Sequence, residues 1–144
     1  MEAGASRVRE IVRGAQVEDA DVRVSVCDLA HPECVSAMRQ MLERGVGGRR
    51  GISFVGFWRT LPEIASAFQE VPHIVVVDAS DVIPASAELA ARHRVKGADA
   101  VHIAAAQRLH RRVSAEDEFW FVSADLRQAA AARQEGMQVL DPTI

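Results

Sequence analysis

Lys96-Gly-Ala-Asp-Ala-Val-His-Ile-Ala-Ala-Ala106 is the stretch on which the reading of this chain turns. Its aspartate, Asp99, opens a helix predicted to run to about Arg111. A second stretch, Phe121-Val-Ser-Ala-Asp125, sets another aspartate directly after a short apolar strand and before a further helix. Two carboxylates at helix starts on one side of an α/β sheet can hold a divalent cation, and so support phosphate chemistry.

Outward from these stretches, helical and strand patterns alternate along all 144 residues, with no linker or repeat. Ser6–Arg13 spaces Val8, Ile11 and Val12 as a short helix. Val22–Val26 reads as a strand, and Pro32 suits the first turn of a helix ending near Arg44. Gly45–Gly51 reads as a turn. Ile52–Phe68 has helical spacing, with Pro62 expected to split or kink it. Ile74–Val77 is a β-branched strand. Asp81 is expected to cap a helix over Val82–His93, with Pro84 in its first turn. Phe119–Val122 is a strand, and Asp125 caps a helix over Leu126–Glu135 that Gly136 ends. Gln138–Leu140 is the last strand. Strands alternating with crossover-length helices predict one α/β domain over 1–144, a mostly parallel sheet with helices on both faces. Ligands of such sheets bind beyond the carboxyl ends of the strands, where Asp125 falls.

Composition narrows the function classes. A net charge of -3 excludes a surface that is basic all over, so any nucleic-acid contact needs a local patch. Lys96 is the single lysine, and arginine carries the remaining positive charge. The opening Met1-Glu-Ala-Gly-Ala-Ser6 has no basic region followed by an apolar run, and no apolar stretch is long enough to span a bilayer. The expectation is a cytoplasmic protein without a membrane partner. Cys27 and Cys34 are too few for a disulfide framework.

Each acid has an ordinary explanation when taken alone. Asp125 suits an N-cap, and Asp99 and Glu33 suit first turns, where the helix dipole stabilises a carboxylate. Together with their flanks they form a pattern. Val24-Ser-Val-Cys-Asp-Leu-Ala-His-Pro-Glu33 is a strand, a turn and a glutamate, followed by Val35-Ser-Ala-Met38. Asp99-Ala-Val-His102, Ser123-Ala-Asp125 and Gly136-Met-Gln-Val-Leu-Asp-Pro142 follow. In these segments the chain resembles the PIN-domain nucleases, a family that includes VapC-type toxins.

The resemblance implies a three-layer fold and a metal-dependent ribonuclease, with Glu33, Asp99 and Asp125 as its catalytic and metal-binding carboxylates. They would hold Mg²⁺ or Mn²⁺ for hydrolysis of an RNA phosphodiester, and Ser123 would hydrogen-bond near the metal. Like charges brought together without a cation raise one another's pKa, so a converging cluster makes sense mainly as a metal site. The toxin subset implies an RNA substrate, a cognate antitoxin and a homodimer. The alternatives are a non-catalytic PIN-like binding protein or an inactive truncated copy.

PIN domains begin with an apolar strand that ends in a fourth aspartate and lies at the centre of the sheet. No segment before Val22 resembles it. The expectation is therefore a first central strand absent from this chain, leaving Val22–Val26 and Phe119–Val122 with unpaired edges. A start placed too late accounts for this best, because the other three acids are kept. A fragment completed by a partner chain and a decayed copy are the other accounts.

Further candidates each carry two readings. Cys27, His31 and Cys34 have zinc-like chemistry but lack a fourth ligand nearby, and read otherwise as a buried strand cysteine and a helix-face cysteine. His102, one turn after Asp99, either faces the site or packs on its helix. Arg92, Arg94 and Lys96 precede Asp99 and suit RNA phosphates, although solvated helix faces carry such charges too. Trp58 and Trp120 read as core or dimer contacts.

Overall fold

The computed structural model describes residues 4–15, 22–46, 51–69 and 74–144. The chain is mixed α/β, rich in helix, with four short parallel strands among the described residues. Helix α1 (Ala5–Ala15) leads to strand β1 (Val24–Cys27), followed by helices α2 (Ala30–Val46) and α3 (Phe54–Gln69). Strand β2 (Ile74–Val77) and a 3₁₀ turn (Ala79–Val82) precede α4 (Ile83–His93) and α5 (Gly97–His110). Strand β3 (Trp120–Val122), helix α6 (Leu126–Gln134) and strand β4 (Gln138–Leu140) complete the order. No described helix is long and apolar enough to cross a membrane.

The strands form two separate pairs. β1 lies parallel to β2, in register from Val24–Ile74 to Cys27–Val77. β3 lies parallel to β4, from Trp120–Gln138 to Val122–Leu140. Among the described residues no ladder joins one pair to the other. Among the described residues the first strand pairs only with β2, and the Phe119–Val122 strand only with β4. Residues 16–21, just before that first strand, lie outside the described residues.

One core cluster, centred on α5, holds both pairs, the second of them resting on α6. α5 buries Ala100, Val101, Ile103, Ala104, Ala105 and Ala106, so its apolar surface wraps most of its circumference. Four of those six are alanine, which favours helix and lets neighbouring backbones approach closely. Cys27 and Val77 of the first pair, and Phe121 and Val139 of the second, pack into the same cluster as these residues. α4 supplies Leu89, and α6 supplies Ala131 and Ala132.

Helix ends follow local chemistry. The Asp125 carboxylate accepts the backbone N–H groups of Arg127 (2.8 Å) and Gln128 (3.0 Å) at the start of α6. Gly136 ends that helix at φ 85°, a left-handed conformation in which glycine carries no Cβ penalty. Its N–H donates to Arg133, and the Met137 N–H donates to Ala132, the paired bonds of a Schellman stop. Met137 is buried beside it.

Three expectations are corrected, and a fourth is narrowed. Asp81 does not cap α4; Asp78 caps the 3₁₀ turn through Ser80, and Asp81 pairs with Arg108 at 2.8 Å. A tight turn after β2 uses the first available acid, and the helix starts later on Ile83 and Pro84. Pro62 does not split α3, which runs through it. Proline lacks an N–H, so the turn loses one hydrogen bond, and the exposed carbonyl side can turn to water. Gly45 lies within α2 rather than in a turn, whereas residues 47–50 lie outside the described residues. Of the two readings of Trp58 and Trp120, exposures of 57% and 46% remove the core one and leave that of a dimer contact.

Candidate functional site

The first turns of α2 and α5, and the cap of α6, carry the three acids. Glu33 sits in the first turn of α2, its side chain 46% exposed. Asp99 is half-buried in the first turn of α5. Asp125 is exposed and caps α6.

α5 relates all three. Nε2 of His102 donates to Oε2 of Glu33 at 2.7 Å. His102 follows Asp99 by three residues, so the two side chains are neighbours on one helix face. Lys96, the N-cap residue of α5, is close enough to Asp125 for its charge to help ionise that carboxyl. The main causes of that shift are the N–H groups of Gln128 and Arg127, which hold Asp125 below the ordinary carboxylate range. Glu33 is thus tied to α5 by a direct contact, whereas Asp125 is linked to it only through the charge of Lys96.

Ser123 stiffens the turn that carries Asp125. Its buried hydroxyl donates to Gln128 Oε1 at 2.6 Å and accepts the Asp125 N–H at 3.1 Å. Both partners belong to the protein, so the hydroxyl orients the cap of α6.

In donor chemistry three carboxylates suit a hard divalent cation. In geometry they do not form an ion site: among the described residues no three His, Cys, Asp or Glu side chains are grouped so as to hold a metal ion. The same holds for Cys27, His31 and Cys34. The cysteines are not activated nucleophiles either. Burial pushes both thiols up, and Glu33 adds to the shift at Cys34.

The basic candidates differ in their commitments. Arg92 donates to Glu135 at 2.8 Å. Arg94 ends α4 in the left-handed conformation at φ 53° and is exposed. Lys96 is exposed beside the acids. Arg108, further along α5, is paired with Asp81.

Two features were not legible as a site. Asp28 follows β1 as Asp78 follows β2, so two acids end neighbouring strands, and Asp28 accepts the Ala79 N–H at 2.9 Å. An acid directly after an apolar strand is the sequence signal, and here it serves the turn. The second is a polar hub at Glu135, whose carboxylate takes Arg92, His93 (2.5 Å) and Gln107 (2.6 Å). Its partners come from 28 to 43 residues away, beyond any local pattern.

No protein-family model matches the chain, and no curated protein matches it significantly.

Proposed function

We propose that this chain is a PIN-type metal-dependent endoribonuclease of the cytoplasm, with Glu33, Asp99 and Asp125 as its acidic residues and Mg²⁺ or Mn²⁺ as its cofactor. The observation that carries the reading is the α5 helix, whose first turn bears Asp99 and whose His102 holds Glu33 at 2.7 Å. The resemblance of the flanking motifs supplies the rest, including the three-layer arrangement. Arg94 and Lys96 would meet RNA phosphates next to those acids, because both are exposed. Arg92 would have to leave Glu135 to join them.

The toxin-like reading adds an antitoxin and a homodimer. α3 offers apolar surface for such contacts: Phe54, Val55 and Trp58 are 63%, 75% and 57% exposed.

The test is cleavage of a fluorescently labelled RNA pool by purified protein with Mn²⁺ or Mg²⁺. Activity should vanish with EDTA and fall at least about 100-fold in Asp99→Asn. Cleavage that survives both changes would refute the proposal.

A second reading, binding without catalysis, is favoured by the ungrouped carboxylates. RNA or protein binding that needs no metal and is unchanged in Asp99→Asn would decide for it.

A further inference from the structure

We infer that two copies of this chain interlock through the α2–α3 hairpin, each seating its Trp58 in the groove where α2 and α3 of the other copy meet. The inference gives a place to the homodimer of the reading above, but it rests on this surface and not on nuclease activity.

The hairpin carries a knob and a hole side by side. The knob is the start of α3, where Phe54, Val55 and Trp58 stand 63%, 75% and 57% exposed. Trp58 meets Phe54 and Phe57 edge-on, so its ring is propped on one side and open on the other. The hole is a groove of about 590 Å³ lined by Leu42 and Ile52, with Arg39, Glu43 and Phe54 at its border. Its size lies within the ~300–1,000 Å³ of sites that enclose a small ligand. Phe54 belongs to both features. A two-fold axis passing between them therefore sets each knob in the other copy's groove.

The chemistry of the groove suits an indole. A tryptophan that becomes buried needs an acceptor for its ring N–H. Among the described residues Glu43 gives only Oε1, to Arg39 at 3.1 Å, so Oε2 is open to that N–H. The Arg39 guanidinium is 61% exposed and can lie on the ring face.

Area favours a second copy as the occupant. Phe54, Val55 and Trp58 together expose roughly 400 Å² of apolar surface on each copy. A standard interface covers about 800 Å² on each partner, a little over half of it apolar. The knob supplies most of that apolar share, and the lining of the groove supplies the rest. In a two-fold dimer the contact is also made twice.

The experiment is sedimentation velocity on the full chain over a concentration series. It includes Trp58→Ser, which removes the knob, and Ile52→Arg, which closes the groove. Gly51→Trp fills the groove from its exposed side and serves if Ile52→Arg does not fold. Wild type should dimerise, and each variant should weaken the dimer on the order of 30-fold. An equimolar mixture of the knob and groove variants should recover part of the loss, because one intact knob still meets one intact groove. A wild-type chain that stays monomeric at roughly 100 μM overturns the inference and leaves the face to a partner of another kind. A dimer unchanged in Trp58→Ser overturns it too. Loss in both variants without recovery in the mixture overturns the interlock in favour of Trp58 stacking on its own copy.

RNA cleavage measured on the same samples keeps the two ideas apart. A dimer that behaves as expected, with no cleavage by any variant, upholds the interlock and removes the nuclease. Metal-dependent cleavage by a chain that stays monomeric does the reverse.

Discussion

The helices around α5 and the α2–α3 hairpin are made from similar amounts of apolar sequence and use it differently. α5 alone buries six residues, and α4, α6 and the first strand pair close over it. The hairpin buries Leu42 on α2 and Phe57 on α3, while Met41, Phe54, Val55 and Trp58 stay exposed. Small side chains explain the contrast. Alanine-rich α5 lets neighbours approach from several directions, so β1 packs on it directly and the β3–β4 pair joins the same core through α6. The hairpin has large side chains on more than one face and only one described helix to cover each of them. Stability is therefore concentrated around α5, and the hairpin is the part left with apolar surface to offer a partner.

The strongest way to break this comparison is to remove matched volume from each region. Ile103 is fully buried, and Ile103→Ala should cost about 4 kcal/mol, at the upper part of the range for such truncations. Leu42→Ala should cost about 2 kcal/mol, because the open side of the hairpin can close on the gap. Urea unfolding of both variants gives the two values. Equal losses would mean that the hairpin is as tightly packed as the centre.

A smaller effect is expected at Glu135, which ties α6 to α4 and α5. Its side chain is 13% exposed and that of His93 is 5% exposed. Glu135→Ala should cost about 2 kcal/mol, since it strands the donors of His93, Arg92 and Gln107. The hydrogen bond from His93, then Arg92 and Gln107, holds the Glu135 carboxyl below its ordinary range. A depressed folded-state pKa contributes stability that is present above the unfolded value, about 4.3, and lost as pH falls through the folded value. Melting temperature should thus fall less steeply below about pH 4.3 in Glu135→Gln than in the wild type. Parallel acid limbs would show that Glu135 is not linked to folding.

These contrasts mark what the sequence could and could not reveal. Elements were legible where short-range chemistry dominates: the β-branched Ile74–Val77, the Asp125 cap and the Gly136 stop all lie where local pattern puts them. The Asp81 cap failed because Asp78 competes three residues earlier, and a 3₁₀ turn intervenes. Each acid's helix-start position was legible. Their relation was not, since the His102–Glu33 contact spans 69 residues and depends on how α5 crosses α2. Which of their two readings the tryptophans take was not legible for the same reason. Hydrophobic neighbours in sequence say that a residue can be buried, and only the packing of the hairpin decides that Trp58 is not.

That last point gives the smallest expected effect and the sharpest one. Trp58 is 57% exposed and touches Phe54 and Phe57 edge-on, with ring centroids 6.1 and 5.5 Å apart. Stability of the isolated chain should change by less than about 1 kcal/mol in Trp58→Ser, because the lost aromatic contacts are half in water. A buried tryptophan would cost about 3–5 kcal/mol on truncation. If α3 is the face a second copy covers, the same substitution should shift the protein toward monomer in sedimentation velocity while leaving the urea midpoint of the monomer in place. A large loss of monomer stability would instead place Trp58 in the core, and the division between a packed centre and an open hairpin would fall.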